Sequence, residues 1–140
     1  MAGGIFIYPK IMKTIRVLIV DDLPQVRQGL ASVLQLAARK AEPGIEVAGE
    51  AQNGYEAIGR AQTLHPDVIL MDLEMPVMDG FEATRQIKER GLAERVVVLS
   101  LHADSDNLER ARQAGADVFI DKASRFTTLM SAIVVVRQSI

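Results

Sequence analysis

The sequence predicts a doubly wound α/β domain built on a five-stranded parallel sheet. Two observations carry that prediction. From Ile15 onward, short apolar runs alternate with longer helical patterns, five of each. The runs are nearly continuous rather than alternating with polar residues, so each strand is buried on both faces and needs helices on both sides. Right-handed crossovers then wind the helices onto the two faces.

The elements follow in order. "IRVLIV" (Ile15–Val20) is rich in β-branched residues and stops at two acids, as a buried strand would. Leu23 to about Ala41 reads as a helix, with Val26, Leu30, Val33, Leu34 and Ala37 near 3–4 spacing. Ile45–Ala48 is a short second strand, followed by an Asn53-Gly54 turn and a helix from Tyr55 to Leu64. "PDVILMD" is the third strand, Phe81 to Arg90 the next helix, and Arg95–Ser100 the fourth strand. Asp104 or Ser105 caps a helix to Ala114, with Gly115 as its stop signal. "DVFIDK" is the fifth strand, and Ser124 caps a final helix to the C-terminus. Residues 1–13 read as an irregular N-terminal extension to a domain at 14–140, with an added strand or arm as the alternative.

Composition excludes several functions. Apolar residues are 49% and charged residues 24% of the chain, an ordinary globular balance, and the net charge of −2 leaves no electrostatic footprint for nucleic acid or an acidic membrane. With no cysteine there is no disulfide, thiolate metal site or cysteine nucleophile, which fits a cytoplasmic protein. The N-terminus lacks the long apolar region of a signal peptide, and no run approaches the roughly 18 residues a membrane span needs.

In doubly wound folds, ligands bind beyond the carboxyl ends of the strands. Here those ends carry Asp21 and Asp22 (strand one), Asp72 (three), Ser100 (four) and Lys122 (five). A strand order of 2-1-3-4-5 brings strands one and three side by side. Three carboxylates within about 5 Å would repel by roughly 3 kcal/mol per pair at an effective dielectric of 20. Such a cluster makes sense around a divalent cation, and hard oxygen donors without His or Cys point to Mg²⁺. A carboxylate can also act as a nucleophile towards phosphorus, with Mg²⁺ and Lys122 neutralising the phosphoryl oxygens. Asp72, alone on the middle strand, is the best nucleophile; adjacent Asp21 and Asp22 look more like metal ligands.

"VLIVDD", "VILMDLEMPVMDG", "VVVLS" and "AGADVFIDK" together resemble, in order and spacing, the receiver domain of two-component response regulators. The resemblance spans Ile15 to Ile140. It implies a flavodoxin-like, chemotaxis-type fold and a signalling switch rather than a metabolic enzyme. Asp72 would accept a phosphoryl group from a sensor histidine kinase, a phosphotransfer protein or a small-molecule donor. Asp22, Asp72 and the Glu74 backbone carbonyl would bind Mg²⁺, with Asp21 acting through water. Ser100 and Lys122 would engage the phosphoryl group, Phe119 would be the conformation-dependent aromatic, and Glu74 and His102 would tune phosphoryl lifetime. Pro76 and Gly80 would shape the loop after Asp72.

Some features depart from the commonest pattern. Lys122 is followed by Ala123 rather than proline, and Ser100 by Leu101-His102 rather than a small residue. Both look like the branch usually joined to helix-turn-helix output domains. Asp121 should point away from Lys122. The apolar run Ile133–Val136 in the last helix is either core or the surface of a dimer or downstream protein partner. Met71, Met75 and Met78 read as packing. A haloacid-dehalogenase-type phosphatase lacks its second aspartate here, because Leu23-Pro24 follows Asp22. A nucleotide-binding domain lacks its glycine-rich loop, and a phosphorylation-independent interaction module would not need the acids, Ser100 and Lys122.

Overall fold

The computed structural model describes residues 14–38, 44–124 and 126–138. Among the described residues, five strands, β1 (Ile15–Val20), β2 (Ile45–Ala51), β3 (Val68–Asp72), β4 (Arg95–Ser100) and β5 (Val118–Asp121), alternate with five helices. These are α1 (Pro24–Ala38), α2 (Gly54–Leu64), α3 (Gly80–Glu89), α4 (Ser105–Ala114) and α5 (Phe126–Gln138). All strand pairings are parallel, in the order β2-β1-β3-β4-β5. The predicted fold class and strand order are therefore those observed.

The strand period of two divides the core into two layers. Leu18, Val20, Ile69, Met71, Val96 and Val98 point to one side, where Ala57, Ala61, Ala83, Ile87 and Ala111 of α2, α3 and α4 meet them. Ile15, Val17, Ile19, Val68, Leu70, Val97 and Leu99 point to the other, against Leu34 of α1 and Leu129 and Ile133 of α5. Continuous apolar strands are thus required by both faces at once.

Several boundaries differ from the sequence expectation, each for a local reason. β2 runs to Ala51, three residues further than expected, because β1 continues to pair with it past an irregularity opposite Val17/Leu18. Asn53 is an N-cap rather than a turn residue: its extended backbone (φ −158°) lets its side chain accept the Glu56 N–H. α2 consequently starts at Gly54. Asp79 and Asp104 cap α3 and α4 in the same way, so Asp104 rather than Ser105 is the cap. Gly115, at φ 100°, ends α4 as expected. β5 ends at Asp121, which leaves Lys122 just beyond the strand. The N-terminal extension and residues 39–41 lie outside the described residues, as do the side chains of Val135 and Val136. Ile133 is core and Val134 packs against it, so that half of the apolar run is packing. Among the described residues, no helix is long and apolar enough to cross a membrane.

Gly80 fixes how closely α3 approaches the end of β3. Its N–H donates to the Leu73 carbonyl at 2.9 Å, and a Cβ there would lie 2.1 Å from the Asp72 carbonyl oxygen. Gly59, on the exposed side of α2, has nothing within 4 Å of such a Cβ. Gly80→Ala is therefore expected to destabilise the domain by about 3 kcal/mol or more, and Gly59→Ala to stabilise it by about 0.5–1 kcal/mol. Urea denaturation of both variants checks the contrast; a Gly80→Ala protein as stable as wild type contradicts this packing.

Candidate functional site

β1 and β3 are neighbours in register, with Val20 opposite Met71, so the residues that follow, Asp21 and Asp72, come side by side at the carboxyl edge of the sheet. One carboxylate oxygen from each of Asp21, Asp22 and Asp72 lies within 4.8 Å of the others. Asp21 and Asp72 are buried, at 1% and 4% exposed, and Asp22 is half-buried. The Lys122 ammonium reaches in from beyond β5, donating to Asp21 Oδ2 at 2.8 Å and to Asp72 Oδ1 at 3.0 Å.

The three acids are held differently. Asp21 commits Oδ1 to the Leu23 N–H (3.0 Å) and Oδ2 to Lys122. Its backbone N–H donates to the Ala51 carbonyl at 3.1 Å, and its carbonyl accepts from Arg27 at 2.7 Å. Burial raises the Asp72 carboxyl above its usual pKa, opposed by the Lys122 hydrogen bond and assisted by the Asp21 charge. Asp22 has no hydrogen-bond partner among the described residues, which leaves both its oxygens open to a ligand. For Lys122, burial opposes the charge, but hydrogen bonds to Asp21 and Asp72 outweigh it and raise the pKa. An all-carboxylate donor set of this size, with no His or Cys in it, fits a hard metal cation.

Of the other expected residues, Ser100, Glu74 and His102 lie at the same carboxyl edge of the sheet, and Phe119 lies within β5. Ser100 is fully buried, and its Oγ accepts the His102 N–H at 3.0 Å. Its carbonyl accepts the Lys122 N–H at 2.9 Å, tying β4 to the lysine's loop. Phe119 is half-buried and packs on the core layer covered by α2, α3 and α4. Glu74 and His102 face each other from adjacent loops, with Oε2 and Nε2 3.4 Å apart and both side chains well exposed. Asp121 accepts from the Ala123 N–H rather than meeting Lys122. Met71 and Met78 are buried and Met75 packs against the same core layer, which is the packing role expected of them.

Two features were missed from the sequence. Val77, between Pro76 and Met78, sits at φ 71°, and the Met78 N–H bonds to the Pro76 carbonyl across it at 2.8 Å. This is a γ-turn, strained for a β-branched residue by about 1–3 kcal/mol. The second is the Arg27 contact with Asp21, for which nothing in local spacing gives a signal. Between α1 and α5 lies an apolar cavity of about 430 Å³, lined in part by Val26, Leu30, Leu99, Ile120 and Leu129.

The raised Asp72 pKa makes a pH-dependent prediction. The folded protein holds this proton more tightly than the unfolded chain does. Stability is therefore lost as pH rises from 3.8 through the folded pKa, and the loss is complete above that pKa. Without metal at pH 7, Asp72→Asn should melt above wild type, and its advantage should fade below pH 3.8. An equal or lower melting temperature at pH 7 contradicts desolvation as the dominant cause.

The family model described as "Response regulator receiver domain" matches residues 17–134. The transcriptional regulatory protein LiaR of Bacillus subtilis is 44% identical over 119 residues, covering 85% of this chain and 54% of LiaR. The nitrate/nitrite response regulator NarL of Escherichia coli K12 is 36% identical over 117 residues, covering 84% of this chain and 52% of NarL. The chain thus spans about half the length of these relatives. In three dimensions it is similar to the signal receiver domain of the putative response regulator NarL from Mycobacterium tuberculosis. That likeness has a TM-score of 0.81 and 29% identity, covering 91% of this chain and 99% of the other. The chain belongs to the family of response regulator receiver domains of two-component signalling systems.

Proposed function

We propose that this domain is a phosphorylation-activated switch in which Asp72 accepts a phosphoryl group from a sensor histidine kinase, a phosphotransfer protein or a small acyl phosphate. The observation that supports this most is the buried Asp72 carboxylate on Lys122, with oxygens of Asp21 and Asp22 within 4.8 Å. An Asp72 oxygen attacks phosphorus as the bond to the donor's imidazole nitrogen or acyl oxygen breaks, and the leaving group keeps that electron pair. Asp22, Asp72 and the Glu74 carbonyl would hold Mg²⁺, with Asp21 in its outer sphere. When bound, Mg²⁺ neutralises and aligns the phosphoryl oxygens.

Lys122 already lies within hydrogen-bond distance of Asp72, so it can pair with a phosphoryl oxygen after little movement. Phosphorylation replaces one carboxylate charge with nearly two and adds acceptor oxygens. Ser100 Oγ, which now accepts from His102, then has a stronger partner to which it can donate. Its movement vacates space for Phe119 to turn inward, and the face formed by α4, β5 and α5 changes for a downstream protein. Glu74 and His102, paired across the mouth of the site, control the access of water and so the lifetime of the acyl phosphate. The same reading has the domain working in the cytoplasm, with a second copy of the chain as a partner of the phosphorylated state.

Intact mass after incubation with Mg²⁺ and acetyl phosphate tests the proposal. Wild type should gain one phosphoryl group, and Asp72→Asn or removal of the metal should abolish the gain. Lys122→Ala should still accept some phosphoryl group without changing partner binding. An adduct that persists in Asp72→Asn rejects the assignment. Absence of both adduct and Mg²⁺ binding in wild type favours a phosphorylation-independent interaction module instead.

A further inference from the structure

Arg27 lies one turn into α1, outside the cluster of acids, and its guanidinium spans two elements. Nη1 donates to the backbone carbonyl of Asp21 at 2.7 Å, and Nε donates to Glu50 Oε1 on β2 at 3.1 Å. The arginine is largely buried, its side chain 16% exposed, while Glu50 is 40% exposed. Its own backbone N–H donates away from the site, closing the first turn of α1 on the Leu23 carbonyl at 3.1 Å. One side chain therefore joins the start of α1, the corner after β1 and the neighbouring strand.

The bonded carbonyl belongs to the Asp21–Asp22 peptide. A peptide unit is planar, so fixing that oxygen also fixes the nitrogen and Cα of Asp22. Asp21 needs little further help, since Leu23, Lys122 and Ala51 already hold its side chain and its N–H. Asp22 has no hydrogen-bond partner of its own among the described residues. The direction in which it presents its carboxylate is set through the backbone that Arg27 grips.

We propose that Arg27, anchored by Glu50, is a positioning residue that sets the Asp21–Asp22 peptide and so aims Asp22 at the divalent cation. This rests on the reading of the acids as a Mg²⁺ site. It requires an arginine, because only a planar fork presents two donors at fixed separation to a carbonyl and a carboxylate together. The contribution acts against the charge of Arg27: a guanidinium near the site repels a cation, so through-space electrostatics alone would make its removal tighten binding.

The two effects have opposite signs, and Mg²⁺ affinity separates them. Titration of the whole, unphosphorylated chain by calorimetry should show the dissociation constant rising about tenfold in Arg27→Gln, as for supporting groups around other metal sites. Arg27→Lys, which keeps the charge and can hold the Asp21 carbonyl but not Glu50 as well, should weaken binding by a smaller factor. Thermal melts without metal confirm that each variant is folded at the titration temperature. Unchanged or tighter Mg²⁺ binding by folded Arg27→Gln overturns the proposal. If Arg27→Gln does not fold, wild-type affinity in Arg27→Lys overturns it. Wild type that binds no Mg²⁺ at all removes the metal-site reading itself, an outcome distinct from either.

Discussion

The structure depends on one ammonium group holding two buried carboxylates. Asp21 and Asp72 are almost fully out of water, and Lys122 is bonded to both. Removing Lys122 would leave both carboxylates buried without a counter-charge, a kind of loss that costs about 3–5 kcal/mol in other proteins. Lys122 lies 50 residues from Asp72 and 101 from Asp21 along the chain, so the contact forms only when the sheet is complete. The site is assembled by topology rather than by any local segment.

That topology also explains the economy of the fold. A parallel sheet delivers every strand's carboxyl end to one edge, and the order β2-β1-β3-β4-β5 puts the acids of β1 and β3 together. Gly80 lets α3 start against the backbone of Asp72, and the γ-turn at Val77 joins strand to helix over a short distance. Strain and close packing thus occur next to Asp72, the proposed phosphoryl acceptor. One positive charge does not balance three acids, and the Asp72 pKa is raised by burial first and by the Asp21 charge after it, against the pull of Lys122. A second cation has a physical reason to enter.

Much of this was legible in the sequence because burial on both faces leaves a strong trace. β1, β3 and β4 read directly from their apolar runs, and the convergence of Asp21, Asp22, Asp72 and Lys122 followed from the strand order. β2 was read too short because it is an edge strand whose later residues, Gly49 and Glu50, lack the apolar signature. Asn53 was read as a turn because Asn-Gly serves equally as a turn or as the start of a helix. The Arg27–Glu50 fork was not legible, since the pair is 23 residues apart and only the packing of α1 beside β2 brings it together. The positive φ of Val77 was hidden because a β-branched residue gives no hint of it.

Three carboxylates share the site, so the central claim concerns which of them carries the phosphoryl group. Borohydride reduction of the acyl phosphate formed from acetyl phosphate and Mg²⁺, followed by peptide mapping, marks the reacted aspartate as homoserine. The account predicts homoserine at position 72 alone. Homoserine at 21 or 22 would assign the nucleophile to the corner after β1 and contradict the division of labour proposed for the site.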